Sequence, residues 1–89
     1  MKSQQVTIQN DQGFHVRPAQ LFVQESNKFA SHIKLTTEAN NTVDGKSILG
    51  LMTLGLAQGS KVTIEAEGAD EDQALAALVA LVESKFGEA

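Results

Sequence analysis

The sequence predicts an α+β fold in two layers, with its elements in the order β-α-β-β-α-β-α. Three observations predict it. Apolar and polar residues alternate in three separate stretches, the period of a strand with one buried face. Two longer stretches repeat their apolar residues at helical spacing. Strands that all alternate have one face covered and one face wet, which places the helices against a sheet in a two-layer sandwich.

Taken in order, Val6 and Ile8 alternate with Thr7 and Gln9 as a first strand, and Asn10-Asp11-Gln12-Gly13 is turn chemistry that stops it. From Val16 to about Phe29, Ala19, Phe22, Val23 and Phe29 return at helical spacing, with Gln20, Gln24, Glu25 and Lys28 outward. Leu21 breaks that stripe and is expected to be partly exposed. Ile33 and Leu35 alternate with His32, Lys34 and Thr36 as a second strand. Glu38-Ala39-Asn40-Asn41 reads as a hairpin turn, since Asn tolerates left-handed backbone angles, and Thr42-Val43 is a short third strand. Ser47 offers an N-cap to a short helix from Ile48 to Leu54, although Gly50 weakens it by ~1 kcal/mol relative to Ala. Gly55 and Gly59 bracket the exit. Val62, Ile64 and Ala66 alternate with Lys61, Thr63 and Glu65 as a fourth strand. Asp70 is placed to cap a last helix, with Glu71 and Asp72 complementing its positive end. Leu75, Leu78, Val79, Leu81, Val82 and Phe86 supply that helix's apolar face.

Eighty-nine residues, 42% hydrophobic and 20% charged, are enough for one modest core. A net charge of −4 with few, scattered basic residues argues against nucleic acid as a partner. The chain has no Cys, which fits a reducing compartment and removes thiolate metal sites. No apolar run follows Met1-Lys2-Ser3-Gln4-Gln5, so neither a signal peptide nor membrane insertion is expected. The glycines form no nucleotide loop, and the acidic residues Glu65, Glu67, Asp70, Glu71 and Asp72 lack the spacing of a calcium loop. They read as a solvated strand end and helix start. No cofactor and no metal is expected.

Gly13-Phe14-His15-Val16-Arg17-Pro18-Ala19 sets one imidazole and one guanidinium at a predicted helix start. Helix N-termini expose unpaired N–H groups and the positive end of the macrodipole, and so favour anions. An uncharged histidine nitrogen is a nucleophile near neutral pH. Gly13 permits a tight turn, and Pro18 has no N–H to leave unpaired in a first turn. The pattern fits a histidine that takes up phosphate and holds it with fixed positive groups. It equally fits a helix start that carries a solvated His and Arg. His32, on the polar phase of its strand, reads as an ordinary exposed histidine.

The motif around His15 resembles the active-site motif of the HPr family, the small phosphocarriers of the bacterial phosphoenolpyruvate-dependent phosphotransferase system. Lys46-Ser47-Ile48-Leu49-Gly50-Leu51-Met52 resembles that family's regulatory serine region, and Gly68-Ala69-Asp70-Glu71-Asp72 with the helix after it resembles its C-terminal helix. The likeness runs from about residue 4 to about residue 86. It implies one HPr-like phosphocarrier domain over 1–89, an open-faced sandwich of a four-stranded antiparallel sheet with the helices on one face, in the cytoplasm. It implies that His15 accepts a phosphoryl group on Nδ1 from enzyme I and passes it to enzyme IIA domains for sugar uptake. Arg17 would contact the phosphate and the partner. Val16, Gln20, Leu21, Leu49 and Met52 would form the partner-binding surface. Such a carrier has no turnover of its own and acts as a monomer.

Ser47 carries two compatible readings, a helix cap and a regulatory phosphorylation site. The second brings in an HPr kinase/phosphorylase and a catabolite-control regulator as further partners. Val16 departs from the family pattern, where a small Ala or Thr is usual, which bears on pairing with a given enzyme I. Two alternatives stand beside the sugar-system carrier. The stretch Gln73-Ala74-Leu75-Ala76-Ala77-Leu78-Val79-Ala80-Leu81 looks as much like the nitrogen-related paralogue NPr. A Crh-like, purely regulatory binding module would keep the serine but lack the active histidine, and His15 argues against it.

Overall fold

The computed structural model describes residues 1–9, 16–54, 57–84 and 86. Strand β1 spans Lys2–Thr7, helix α1 Val16–Ser26, β2 His32–Thr37, β3 Thr42–Asp44, α2 Ile48–Thr53, β4 Lys61–Glu67 and α3 Glu71–Glu83. The four strands form one antiparallel sheet in the order β1-β4-β2-β3. Both the order of elements and the antiparallel pairing match the expectation from sequence.

Register decides which side is core. Val6 pairs with Val62, Leu35 with Ile64, and Ile33 with Ala66, so the apolar phase of each strand falls on one face. Ala19, Phe22 and Val23 of α1, Leu51 of α2, and Ala74, Leu78, Val79 and Val82 of α3 join those residues in a single buried cluster. The helices therefore cover that face. Removing each Leu, Ile, Val or Phe side chain from water contributes ~1.5–3 kcal/mol. The opposite face is polar: Gln5, Thr63, Thr36 and Thr42 align across it, as do Ser3, Glu65, Lys34 and Asp44.

Four details depart from the sequence reading. β1 begins at Lys2 rather than near Val6, because antiparallel pairing with β4, out to Lys2 opposite Ala66, holds backbone that has no apolar pattern of its own. α1 ends at Ser26, and the chain reaches Phe29 through tighter turns, with the N–H groups of Lys28 and Phe29 donating to the carbonyls of Glu25 and Ser26 at 3.2 Å. Phe86 lies beyond the end of α3, buried, with φ 56°, rather than on the helix. Asp70 occupies the N-cap position of α3, yet its side chain makes no cap bond. Its carboxylate instead accepts from the N–H groups of Ala30 and Ser31 at 2.9 and 3.0 Å and from the Ser31 hydroxyl. The helix start is closed by Glu71, whose carboxylate accepts from the Gly68 N–H at 3.2 Å.

The hairpin turn holds as expected. Asn40 sits at φ 66°, and its N–H donates to the Thr37 carbonyl at 2.9 Å.

Candidate functional site

The residues expected to act on phosphate and partners fall on α1 and α2, which pack against each other. His15 and Gly13 lie outside the described residues, as do the turn residues 10–12 and Gly55. His15 immediately precedes Val16, the first residue of α1. Pro18 and Ala19 are buried and anchor this end of the helix in the core.

Arg17 is exposed in the first turn of α1, and among the described residues no carboxylate pairs with it. A cation at a helix N-terminus opposes the macrodipole, so nothing in the helix itself accounts for it. It is compatible with a group held ready for an anion. Gln20 is also exposed, and Leu21 is half-buried against the core, as its break in the helical stripe suggests.

α2 exposes an unusual amount of apolar surface for six residues. Leu49 is 78% exposed and Met52 41%, with Ile48 at 38%, while Leu51 alone is fully buried. Val16 adds a side chain 50% exposed at the start of α1. Leu49 and Met52 are therefore not core residues. Methionine suits a surface that must fit more than one partner.

Ser47 is a true N-cap. Its backbone is extended, at φ −111° and ψ 114°, and its Oγ accepts from the Gly50 N–H at 3.1 Å. The turn before it is held by the Asp44 carboxylate, which accepts from the Lys46 N–H at 2.8 Å. Lys46 Nζ donates to the Phe29 carbonyl at 2.9 Å and ties the start of α2 to the chain just beyond α1. Ser47 thus sits toward the C-terminal end of α1, whereas Arg17 marks its N-terminal end. Gly50 is explained by contact: a Cβ there would lie 3.3 Å from both Ser47 Oγ and Val43 Cβ. The mid-helix glycine that looked like a simple weakness makes room for the cap.

His32 is exposed on the open face of the sheet, opposite Glu67 and away from the helical layer. Among the described residues no group of His, Asp or Glu side chains is placed to hold a metal ion, and no helix is long and apolar enough to cross a membrane.

Fold and site define a small α+β sandwich that presents a cation-bearing helix start and an apolar platform on one helical layer. The family model for the PTS HPr component phosphorylation site matches residues 2–84. The phosphocarrier protein HPr of Mycoplasma pneumoniae is 43% identical over 83 residues, covering 93% of this chain and 94% of its own. The HPr-like protein Crh of Halalkalibacterium halodurans is 42% identical over 85 residues, covering 96% and 100%. The crystal structure of HPr-C-His from Thermoanaerobacter tengcongensis superposes with a TM-score of 0.95 at 50% identity, covering 100% of this chain and 99% of that one. The chain belongs to the HPr family, the phosphocarrier component of the phosphotransferase system.

Proposed function

We propose that this protein carries a phosphoryl group on His15, from enzyme I to enzyme IIA domains in sugar uptake. The observation that carries the reading is that His15 stands in sequence directly before the first residue of α1, whose first turn exposes Arg17 with no carboxylate partner among the described residues. The uncharged Nδ1 of His15 attacks the phosphorus delivered by enzyme I. The bond from phosphorus to enzyme I breaks as the new N–P bond forms, and its electron pair leaves on enzyme I. Transfer of this kind depends mainly on positioning and electrostatics, which the partner enzymes supply in large part. The carrier contributes an aimed nucleophile, the N–H groups and dipole of α1, and the Arg17 guanidinium.

Val16, Gln20, Leu21, Leu49 and Met52 form the docking surface in this reading, supported by the exposure of Val16, Leu49 and Met52. Ser47 is a regulatory phosphorylation site for an HPr kinase/phosphorylase, and its phosphorylated form a binding face for a catabolite-control regulator. The protein works in the cytoplasm, as a monomer, without turnover of phosphoenolpyruvate or ATP by itself. Because a solved HPr of Thermoanaerobacter tengcongensis is a dimer, sedimentation of the purified protein is the check on the monomer.

The test is labelling with enzyme I and phosphoenolpyruvate. One acid-labile phosphate is expected on the wild type and on His32→Ala, and none on His15→Ala. Equal labelling of His15→Ala would sink the reading. The 42% identity to Crh raises a Crh-like regulatory role as the second reading; it requires that His15 take no phosphate, so the same experiment separates the two.

A further inference from the structure

We propose that Lys46 is a positioning residue for Ser47, holding the start of α2 so that the serine hydroxyl meets a kinase in one orientation. This inference rests on the reading of Ser47 as a phosphorylation site. α2 is poorly equipped to hold its own first turn. It has six residues, far fewer than an isolated helix needs in water; Gly50 weakens it further, and only Leu51 is buried. Ser47 Oγ is oriented by the bond it accepts from the Gly50 N–H at 3.1 Å, so its aim depends on that first turn.

The hold comes from the residues before the helix. The Gly45 N–H donates to the Ile33 carbonyl at 2.8 Å, and a Cβ on Gly45 would stand 2.5 Å from Ile33 Cγ2, so the chain lies directly on β2. The Asp44 carboxylate accepts from the Lys46 N–H at 2.8 Å, and the Asp44 carbonyl from the Ser47 N–H at 3.1 Å. Lys46 adds a tie to the helical layer, its Nζ donating to the Phe29 carbonyl at 2.9 Å. Phe29 is a fixed acceptor. It packs against the core, and the next two N–H groups, of Ala30 and Ser31, donate to the Asp70 carboxylate. Lys46 is half-buried, and among the described residues no carboxylate pairs with its ammonium. A surface lysine ordinarily leaves its ammonium in water. Here it is spent on a backbone carbonyl, and the side chain serves as a strut one residue before the serine. In the transfer, Ser47 Oγ forms a bond to the γ-phosphorus of ATP as that phosphorus parts from its bridging oxygen. ADP leaves with the electron pair, and the hydroxyl proton passes to a base of the kinase. The serine has only to arrive aimed, and small losses of aim cost rate.

Lys46→Met keeps most of the side chain and removes its ammonium, while Lys46→Arg keeps a cationic N–H donor of similar reach. Both are compared with wild type, well below their melting points, for hydrogen exchange of the Gly50 amide by NMR in the free protein. They are also compared for kcat and KM of Ser47 phosphorylation by HPr kinase/phosphorylase with ATP. Lys46→Met is expected to lose about 8 °C of melting temperature at most. Its Gly50 amide is expected to exchange about fivefold faster or more, as the cap bond opens locally. Its kcat at Ser47 is expected to fall about fivefold or more with KM within about twofold, because aim is lost after docking, and Lys46→Arg is expected to recover both. A wild-type kcat in Lys46→Met overturns the proposal. So does a raised KM with unchanged Gly50 exchange, which would make Lys46 a contact for the kinase, or a loss that Lys46→Arg does not restore. If the kinase leaves Ser47 of the wild type unmodified, the reading of that serine as a phosphorylation site fails, and Gly50 exchange in the free protein still decides whether Lys46 holds the hydroxyl in place.

Discussion

The Asp70 carboxylate at the start of α3 is held by Ser31, 39 residues away just before β2, through both the Ser31 N–H at 3.0 Å and its hydroxyl. The Ala30 N–H adds a third donor at 2.9 Å. Gly68 completes the junction from the other side, because a Cβ at this residue (φ +154°) would come within 2.6 Å of Ser31 Oγ and 2.8 Å of Ser31 Cα. Ser31 is consequently buried, and the loop leaving α1 is fastened to the loop entering α3.

This junction predicts an acid-sensitive fold. The Ser31 hydroxyl, with the Ala30 and Ser31 N–H groups, holds the Asp70 carboxyl below its ordinary value of 3.8. The Gly68 N–H, followed by the chain's N-terminal ammonium, holds Glu71 below 4.5. Depressed carboxyls bind fewer protons folded than unfolded, so their contribution is present above the unfolded pKa and lost as pH falls through the folded one. The melting temperature is therefore expected to be steady from neutral pH to about 5 and to fall below about 4. Asp70→Asn, which places an amide against three donors, should lower the neutral-pH melting temperature by about 5 °C or more. Its deficit against wild type should shrink as pH drops below about 3. A constant deficit across the acid limb would mean that the carboxylate charge at this junction is irrelevant.

Ser47 predicts a separation of stability from transfer. Ser47→Ala loses the bond from the Gly50 N–H and should cost about 1 kcal/mol, or roughly 4–8 °C of melting temperature. Its rate of His15 phosphorylation should stay near wild type. Ser47→Asp retains an oxygen at the cap and favours the helix dipole, so it should keep the fold. It also sets a negative charge two residues from Leu49, on the surface proposed to receive enzyme I with its anionic phosphate. Phosphorylation of His15 should slow markedly, since phosphoserine would add −1.5 to −2 charges at about the same place. Indistinguishable rates for Ser47→Asp and wild type would reduce Ser47 to a helix cap.

The strands and helices were legible because their signals are local. Alternation in His32–Thr37 and Lys61–Glu67, and helical spacing from Ala19 to Val23, needed only near neighbours. So did the Ser47 cap and the exposure of Leu49 and Met52, which exceed the apolar face of so short a helix. What escaped was long-range. Asp70 carries every local mark of a helix cap, and only the arrival of Ala30 and Ser31 redirects its carboxylate. The polar first half of β1 becomes a strand because β4 offers it partners, and Gln58 reaches Gln9 across 49 residues of sequence. His15 lies outside the described residues, and its proposed role rests on its motif.

Ser26 predicts a gain rather than a loss. It is fully buried at the end of α1, and among the described residues its hydroxyl has no hydrogen-bond partner. A buried, unpaired hydroxyl costs about 1–3 kcal/mol relative to one that is paired or hydrated. Ser26→Ala removes that oxygen at little change in volume and raises helix propensity slightly. The expected result is a melting temperature equal to wild type or a few degrees higher, read by calorimetry at neutral pH. A drop of about 4 °C or more would show that the hydroxyl is satisfied in solution, for instance by a buried water.

The apolar platform predicts opposite behaviour for neighbouring leucines of α2. Leu49 is 78% exposed and Leu51 is fully buried, although the two are separated by Gly50 alone. Leu49→Glu therefore places its charge in water and should change stability by no more than about 0.5 kcal/mol. Leu51→Ala empties a site in the core shared with Phe22 and Leu78, and should cost about 2–5 kcal/mol, a large part of the stability of so small a chain. Transfer should sort the other way. Leu49→Glu, and more weakly Met52→Ala, should slow phosphorylation of His15 by enzyme I, because in the proposed docking enzyme I desolvates this platform to reach the start of α1. Leu51→Ala, assayed well below its melting point, should transfer at close to the wild-type rate. Thermal melts and phosphorylation rates measured on the same preparations make the comparison. If Leu49→Glu accepts phosphate as fast as wild type, the exposed face of α2 is not where enzyme I docks.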